Sequence, residues 1–228
     1  AEEIKKQNYC SNFFLHENFN NLPWNATKFV IETVKEELVL KKKFFKQVVN
    51  KVSNSTIIAS NSSSFGISKI SKNLSNPNRF IGCHFFMPAD LVPLVEIIMG
   101  SRTTDHVFKF VKNIMTSIGC IPIRVNKEVP GFIGNRLQHA MLREAFSLIE
   151  KKIIEPEDID KAVKYGFGLR YISNGPILQK EISGLDVHYL AAKEIYKSLN
   201  NDKTPSKILY AKIKQGHFGI KTNIGFWK

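Results

Sequence analysis

Within the first 125 residues, short β-branched runs alternate with stretches of helical spacing. That alternation restricts the fold more than any other property of the chain. Residues 28–34, KFVIETV, are apolar and β-branched before ending in polar residues, as a buried parallel strand does. Glu36 to Val52 follows with Leu38, Phe44, Phe45, Val48 and Val49 at helical spacing. STIIAS (55–60) reads as a second strand that opens into the polar turn Asn61-Ser62-Ser63-Ser64. A short helical stretch spans Ile67–Leu74, and Asn76-Pro77-Asn78 leads into a third strand around His84. A further strand holds Glu96, then a helix is expected over Thr104–Ile118 and a strand over Pro122–Val125. Strand, helix, strand in repetition predicts a doubly wound, Rossmann-like α/β sheet.

The pattern changes at Lys127-Glu128-Val129-Pro130-Gly131. From Phe132 onward, apolar residues recur at Ile133, Leu137, Met141, Ala145 and Ile149, a step that marks one helix face. Pro156-Glu157-Asp158 starts a helix through Val163, because proline suits the first turn and acids favour that end. Gly175-Pro176 and Gly184 punctuate two more helices. The expected organisation is a sheet domain over 1–126 followed by an all-α domain over 127–228. A nucleotide-binding sheet of this class normally opens with a strand, a G-x-G-x-x-G turn and a helix that receives the pyrophosphate. The chain has no such fingerprint: Gly166 and Gly168 share its first spacing, but Tyr171 stands where the third glycine belongs. Because the chain begins at Ala1 without Met, the expectation is a piece of a longer protein, or a fold without its leading βαβ unit.

Composition excludes several function classes. No run approaches the roughly 18 apolar residues of a membrane span. Cys10, Cys83 and Cys120 are few, odd in number and far apart, which argues against a disulfide framework or a zinc site and fits a reducing cytoplasm. The net charge of +13 invites a nucleic-acid reading, but only six of the 33 basic residues are arginines and the lysines are scattered. A solvated basic surface, or one suited to a phosphorylated ligand, explains them better than a nucleic-acid groove.

The segment FIGCHFFMPADLVPLVEII (80–98) sets one histidine and one glutamate in apolar surroundings. An unpaired buried carboxylate costs several kcal/mol, so Glu96 calls for a partner, and His84, twelve residues upstream, is the candidate. A histidine oriented by a carboxylate is suited to taking a proton from an alcohol.

Eight segments in register give the chain a resemblance to the 3-hydroxyacyl-CoA dehydrogenase family: FVIETVKEELVLK (29–41), IIASNSSS (57–64), GCHFFMP (82–88), LVEII (94–98), VPGFIGNR (129–136), IEPEDIDKAVKYGFGLR (154–170), GPILQKEISGLDV (175–187) and GIKTNIGFW (219–227). The resemblance implies an NAD-dependent oxidoreductase of fatty acid metabolism with a helical domain that forms homodimers. It implies His84 as the base for the hydroxyl proton, Glu96 as its orienting carboxylate, and Ser63 touching cofactor and substrate. By the same resemblance Asn135 completes the site, while Glu36, Lys41 and Lys221 contact NAD. The expected partner is a small substrate, an acyl-CoA or hydroxy acid, with no nucleic acid, membrane or metal.

Bland readings stand beside these. His84 also fits a satisfied core histidine, Glu96 an edge-strand carboxylate in water, Ser63 turn chemistry, and Asn135 a helix start; Glu36 and Lys41 fit an exposed acid and a surface lysine. Met87 replaces the asparagine that the acyl-CoA enzymes usually carry in HFFNP. Gly168-Leu169-Arg170-Tyr171 resembles the gulonate dehydrogenase and lambda-crystallin branch, where Arg170 would grip a substrate carboxylate or form a salt bridge. A dehydrogenase of free β-hydroxy acids and a non-catalytic, crystallin-like descendant are therefore the alternatives.

Overall fold

The computed structural model describes residues 14–227, which divide into two compact units after Ile133. The first unit is built on five strands in spatial order β1-β2-β3-β4-β5: Phe29–Glu32, Ile57–Ser60, Phe80–Phe85, Leu94–Ile98 and Ile121–Val125. Helices α1 (Leu38–Val49), α2 (Ile67–Ile70) and α3 (Asp105–Ser117) connect them. Strands β1, β2 and β3 run parallel. The expected helix from Glu36 starts two residues later, leaving Glu36 in the loop after β1.

The sheet departs from a fully parallel one at its centre. β3 and β4 pair antiparallel, and β4 and β5 are parallel again. A parallel crossover needs about a dozen residues or more. The loop between Phe85 and Leu94 is shorter than that, so the chain reverses as a hairpin. This reversal sets His84 directly opposite Glu96 in the strand register. Opposed residues of an antiparallel pair project from one face.

The two faces of the sheet are packed separately. Phe80 and Ile58 meet Phe45, Val48, Ile67 and Ile70 on one side. On the other, Ile81, Cys83, Val95 and Ile97 meet Val107, Val111 and Met115 of α3. Burial pushes the Cys83 thiol up to about 12, with a smaller contribution from Cys120. Gly82 permits close strand approach, because a Cβ there would come within 2.9 Å of the Ile98 side chain. The alternation continues along the first face into polar ground: Glu32 ends β1, Ser60 ends β2, and His84 and Glu96 follow on β3 and β4.

The second unit is helical: α4 (Gly134–Glu150), α5 (Pro156–Lys161), α6 (Gly168–Tyr171), α7 (Pro176–Ser183), α8 (Leu185–Ile195) and α9 (Lys207–Lys214). The helix expected through Val163 changes at Ala162 into a wider π-helical stretch to Phe167, broken by non-helical torsions at Gly166. α9, capped by the Ser206 hydroxyl, is additional to the expected helices. Among the described residues no helix is long and apolar enough to cross a membrane, and no cluster of metal-ligating side chains is present.

Candidate active site

Three side chains from three elements form one line. Glu96 is fully buried on β4, and its Oε2 lies 2.7 Å from Nδ1 of His84, itself only 5% exposed. On the other side of the ring, Nε2 lies 3.1 Å from the Ser63 hydroxyl. The second carboxylate oxygen, Oε1, accepts the amide hydrogen of Ile133 at 2.9 Å. Glu96 is thus no edge carboxylate in water; β4 has β3 and β5 on either side.

A carboxylate at Nδ1 places the ring proton there and leaves Nε2 to accept one. Phe86 and Phe132 flank the ring at 5.0 and 5.6 Å between centroids and help to bury it. Phe132 stands in the left-handed region (φ 44°), a conformation rare for a bulky side chain and found where surrounding structure enforces it. The bend turns its ring to His84 and the next amide to Glu96.

Glu36 and Lys41 belong to a neighbouring network. Lys41 is no surface lysine: it is 1% exposed, and its ammonium meets Glu32 at 2.8 Å, Glu36 at 3.1 Å and the Val34 carbonyl at 3.1 Å. Glu36 accepts the Ser62 hydroxyl and the Ser64 amide through one oxygen. Partial burial pushes its carboxyl up, but those two bonds together with Lys41 outweigh that and hold it below the usual carboxylate range. Asn135 lies in the first turn of α4, Arg170 on α6, and Lys221 in the turn Ile220–Thr222, all within the helical unit. Glu32, Ser60 and Ser62 also belong to this network, beyond the residues expected from the sequence. The criterion that marks Glu96, an acid in an apolar run, applies to Glu32 as well; the two serines carry no comparable mark.

Residues 3–129 match the model of the 3-hydroxyacyl-CoA dehydrogenase NAD binding domain, and residues 131–228 match that of the family's C-terminal domain. The 5-formyl-3-hydroxy-2-methylpyridine 4-carboxylate 5-dehydrogenase of Mesorhizobium japonicum is 32% identical over 198 residues, covering 87% of this chain and 64% of its own. A probable 3-hydroxybutyryl-CoA dehydrogenase of Deinococcus radiodurans is 34% identical over 200 residues, covering 87% of this chain and 70% of its own. A crystal structure of the pyridine carboxylic acid 5-dehydrogenase, described as an NAD+ dependent dismutase, matches with a TM-score of 0.85 at 32% identity, over 89% of this chain and 65% of that one. The chain therefore spans about two thirds of the length of these relatives.

The groups present suit the ring end of a dinucleotide. The exposed Ser63, the His84 ring that it meets and the partly exposed Glu36 gather at the carboxyl ends of β1–β3, where sheets of this kind collect ligands. The glycines nearby are otherwise engaged: Gly66 packs on Glu128, Gly82 on Ile98 and Gly100 on Ile67. No pyrophosphate cradle is formed by them.

Proposed function

Since the chain belongs to the 3-hydroxyacyl-CoA dehydrogenase family, we propose that its sheet unit carries the catalytic machinery of an NAD-dependent dehydrogenase. The reaction is oxidation of the 3-hydroxyl of a short-chain 3-hydroxyacyl-CoA to the 3-oxo compound. One observation carries the reading: a buried carboxylate on Nδ1 of a histidine whose Nε2 meets a hydroxyl at the ligand edge of the sheet.

His84 Nε2 accepts the proton of the substrate hydroxyl as the carbonyl forms. Glu96 holds the ring in the required tautomer and stabilises the imidazolium. NAD, when bound with its nicotinamide end held by Glu36 and Ser63, would supply the acceptor for the hydride of C3. The Ser63 hydroxyl bonds to the ring now and marks the place where the reacting oxygen would sit. Glu36 and Ser63 are assigned to the nicotinamide end. Asn135 and Arg170 are assigned to the substrate and Lys221 to the cofactor on their sequence matches alone.

Assembly as a homodimer through the helical unit is part of the same proposal. It is supported by the lack of a buried apolar side chain in that unit among the described residues, where Ser147 alone is buried.

A second reading, oxidation of a free hydroxy acid, draws on Met87 and on the relative named for a pyridine carboxylate. Arg170 and Lys180 line one hollow of the helical unit, and guanidinium pairs with carboxylate in two-pronged fashion.

In the intact gene product, His84→Gln should lower kcat at least about a hundredfold, the lower range for general-base catalysis, with folding unchanged. Near-normal turnover would remove the mechanism. Assaying 3-hydroxybutyryl-CoA against gulonate separates the two substrate readings.

A further inference from the structure

The turn that carries Ser63 is pinned at every residue but that one. The Asn61 amide donates to the Glu32 carbonyl (2.9 Å), and the Asn61 side-chain oxygen accepts the Phe85 amide (2.8 Å), one residue beyond His84. The Ser62 amide donates to the Ser60 hydroxyl at 3.2 Å, and the Phe65 amide to the Ser62 hydroxyl at 2.9 Å. Ser62 and Ser64 both donate to one oxygen of Glu36. The Ser63 hydroxyl instead meets the His84 ring.

What holds Glu36 is buried charge. Its other oxygen pairs with Lys41, and Lys41 pairs with Glu32, whose remaining oxygen accepts the Ser60 hydroxyl at 2.6 Å. A continuous path therefore runs from the end of β1, through the Lys41 ammonium, to both neighbours of Ser63. Buried ion pairs are weak evidence for net stability, so their presence here is read as fixing one geometry. Ordinary turn chemistry would need none of them.

We propose that Glu32 and Lys41 are positioning residues, which act through Glu36 and Ser62 to hold the Ser63 hydroxyl against the His84 ring. The proposal rests on the reading of Ser63 and His84 above.

The test needs a readout in the protein without cofactor. Nitrogen-15 imidazole spectra of the intact gene product report the bond at Nε2, with His84→Gln identifying the resonance. Ser63→Ala should move it by removing the partner. Lys41→Met and Ser62→Ala should move it in the same direction, while Lys42→Met, an exposed neighbour on α1, should leave it in place. Glu32→Gln keeps the shape of the side chain and serves if Lys41→Met does not fold. In turnover assays, Lys41→Met and Ser62→Ala should lower kcat by up to about a hundredfold, the scale expected of a small misplacement.

A His84 resonance unmoved in Ser62→Ala and in whichever of Lys41→Met and Glu32→Gln folds, but moved in Ser63→Ala, would overturn the proposal. So would unchanged kcat in Ser62→Ala and in whichever of Lys41→Met and Glu32→Gln folds. Normal turnover in His84→Gln would instead defeat the underlying functional reading, whatever the spectra of the other variants.

Discussion

The two units bury apolar surface very differently. In the sheet unit, Phe45, Val48, Ile58, Ile81, Cys83, Val95, Ile97 and Val111 are all at or near zero exposure, packed on both faces of one sheet. In the helical unit, Ile177 is 75% exposed and Leu190 64%, and α7 and α8 present apolar residues without cover. Fully burying one such side chain is worth about 1.5–3 kcal/mol, so this surface is a large unclaimed stabilisation. The sheet unit thus carries its stability internally. The helical unit leaves its apolar residues uncovered, and the proposed homodimer would use that surface.

The sharpest way to break this contrast is a pair of truncations. Phe45→Ala should cost about 3–5 kcal/mol at any protein concentration, the usual range for a buried aromatic. Leu190→Ala should have an effect that depends on concentration, since it acts on association rather than on a core. Denaturant unfolding across a hundredfold dilution series checks both. If Leu190→Ala were as costly as Phe45→Ala at every dilution, the helical unit would have a core of its own.

A smaller effect is expected in acid. Glu36 has its carboxyl held below the usual range, so its contribution favours the folded state where it is ionised. That contribution is complete above the unfolded value, near about 4.3, and is lost as pH falls through the lower folded value. Urea midpoints measured from neutral pH downward should therefore decline in acid, and Glu36→Gln should flatten part of that decline. An unchanged slope would show that Glu36 is not ionised against Lys41 and the serine turn.

The mildest prediction concerns thiol chemistry. With Cys83 pushed up to about 12 by burial, its peptide should remain unmodified when the native protein is treated with iodoacetamide near pH 8. Of the two cysteines among the described residues, the half-buried Cys120 should react before Cys83. Peptide mass spectrometry decides, and rapid labelling of Cys83 would mean that the sheet core opens readily.

Much of this was legible in the chain before folding. The spacing of Leu38, Phe44, Phe45, Val48 and Val49 places a helix there because 3.6-residue periodicity is a local property, and the structure has it over Leu38–Val49. His84 and Glu96 stood out because a charge in an apolar run needs a partner wherever the run is buried. Lys41 was not legible in that way. Within KKK it looks like any solvated lysine, and only the return of β1 beside α1 shows that its ammonium is enclosed by Glu32 and Glu36.

The amino-acid order by itself determined the alternating elements of the first unit, the change to helices near residue 130, and the identity of the candidate base and its carboxylate. Each of these follows from local periodicity or from the expense of burying charge. Only the tertiary structure decided that β4 runs against β3, that this register sets His84 opposite Glu96, and that a buried lysine ties the serine turn to β1. Those are contacts between residues distant along the chain, and their geometry exists only once the sheet has closed.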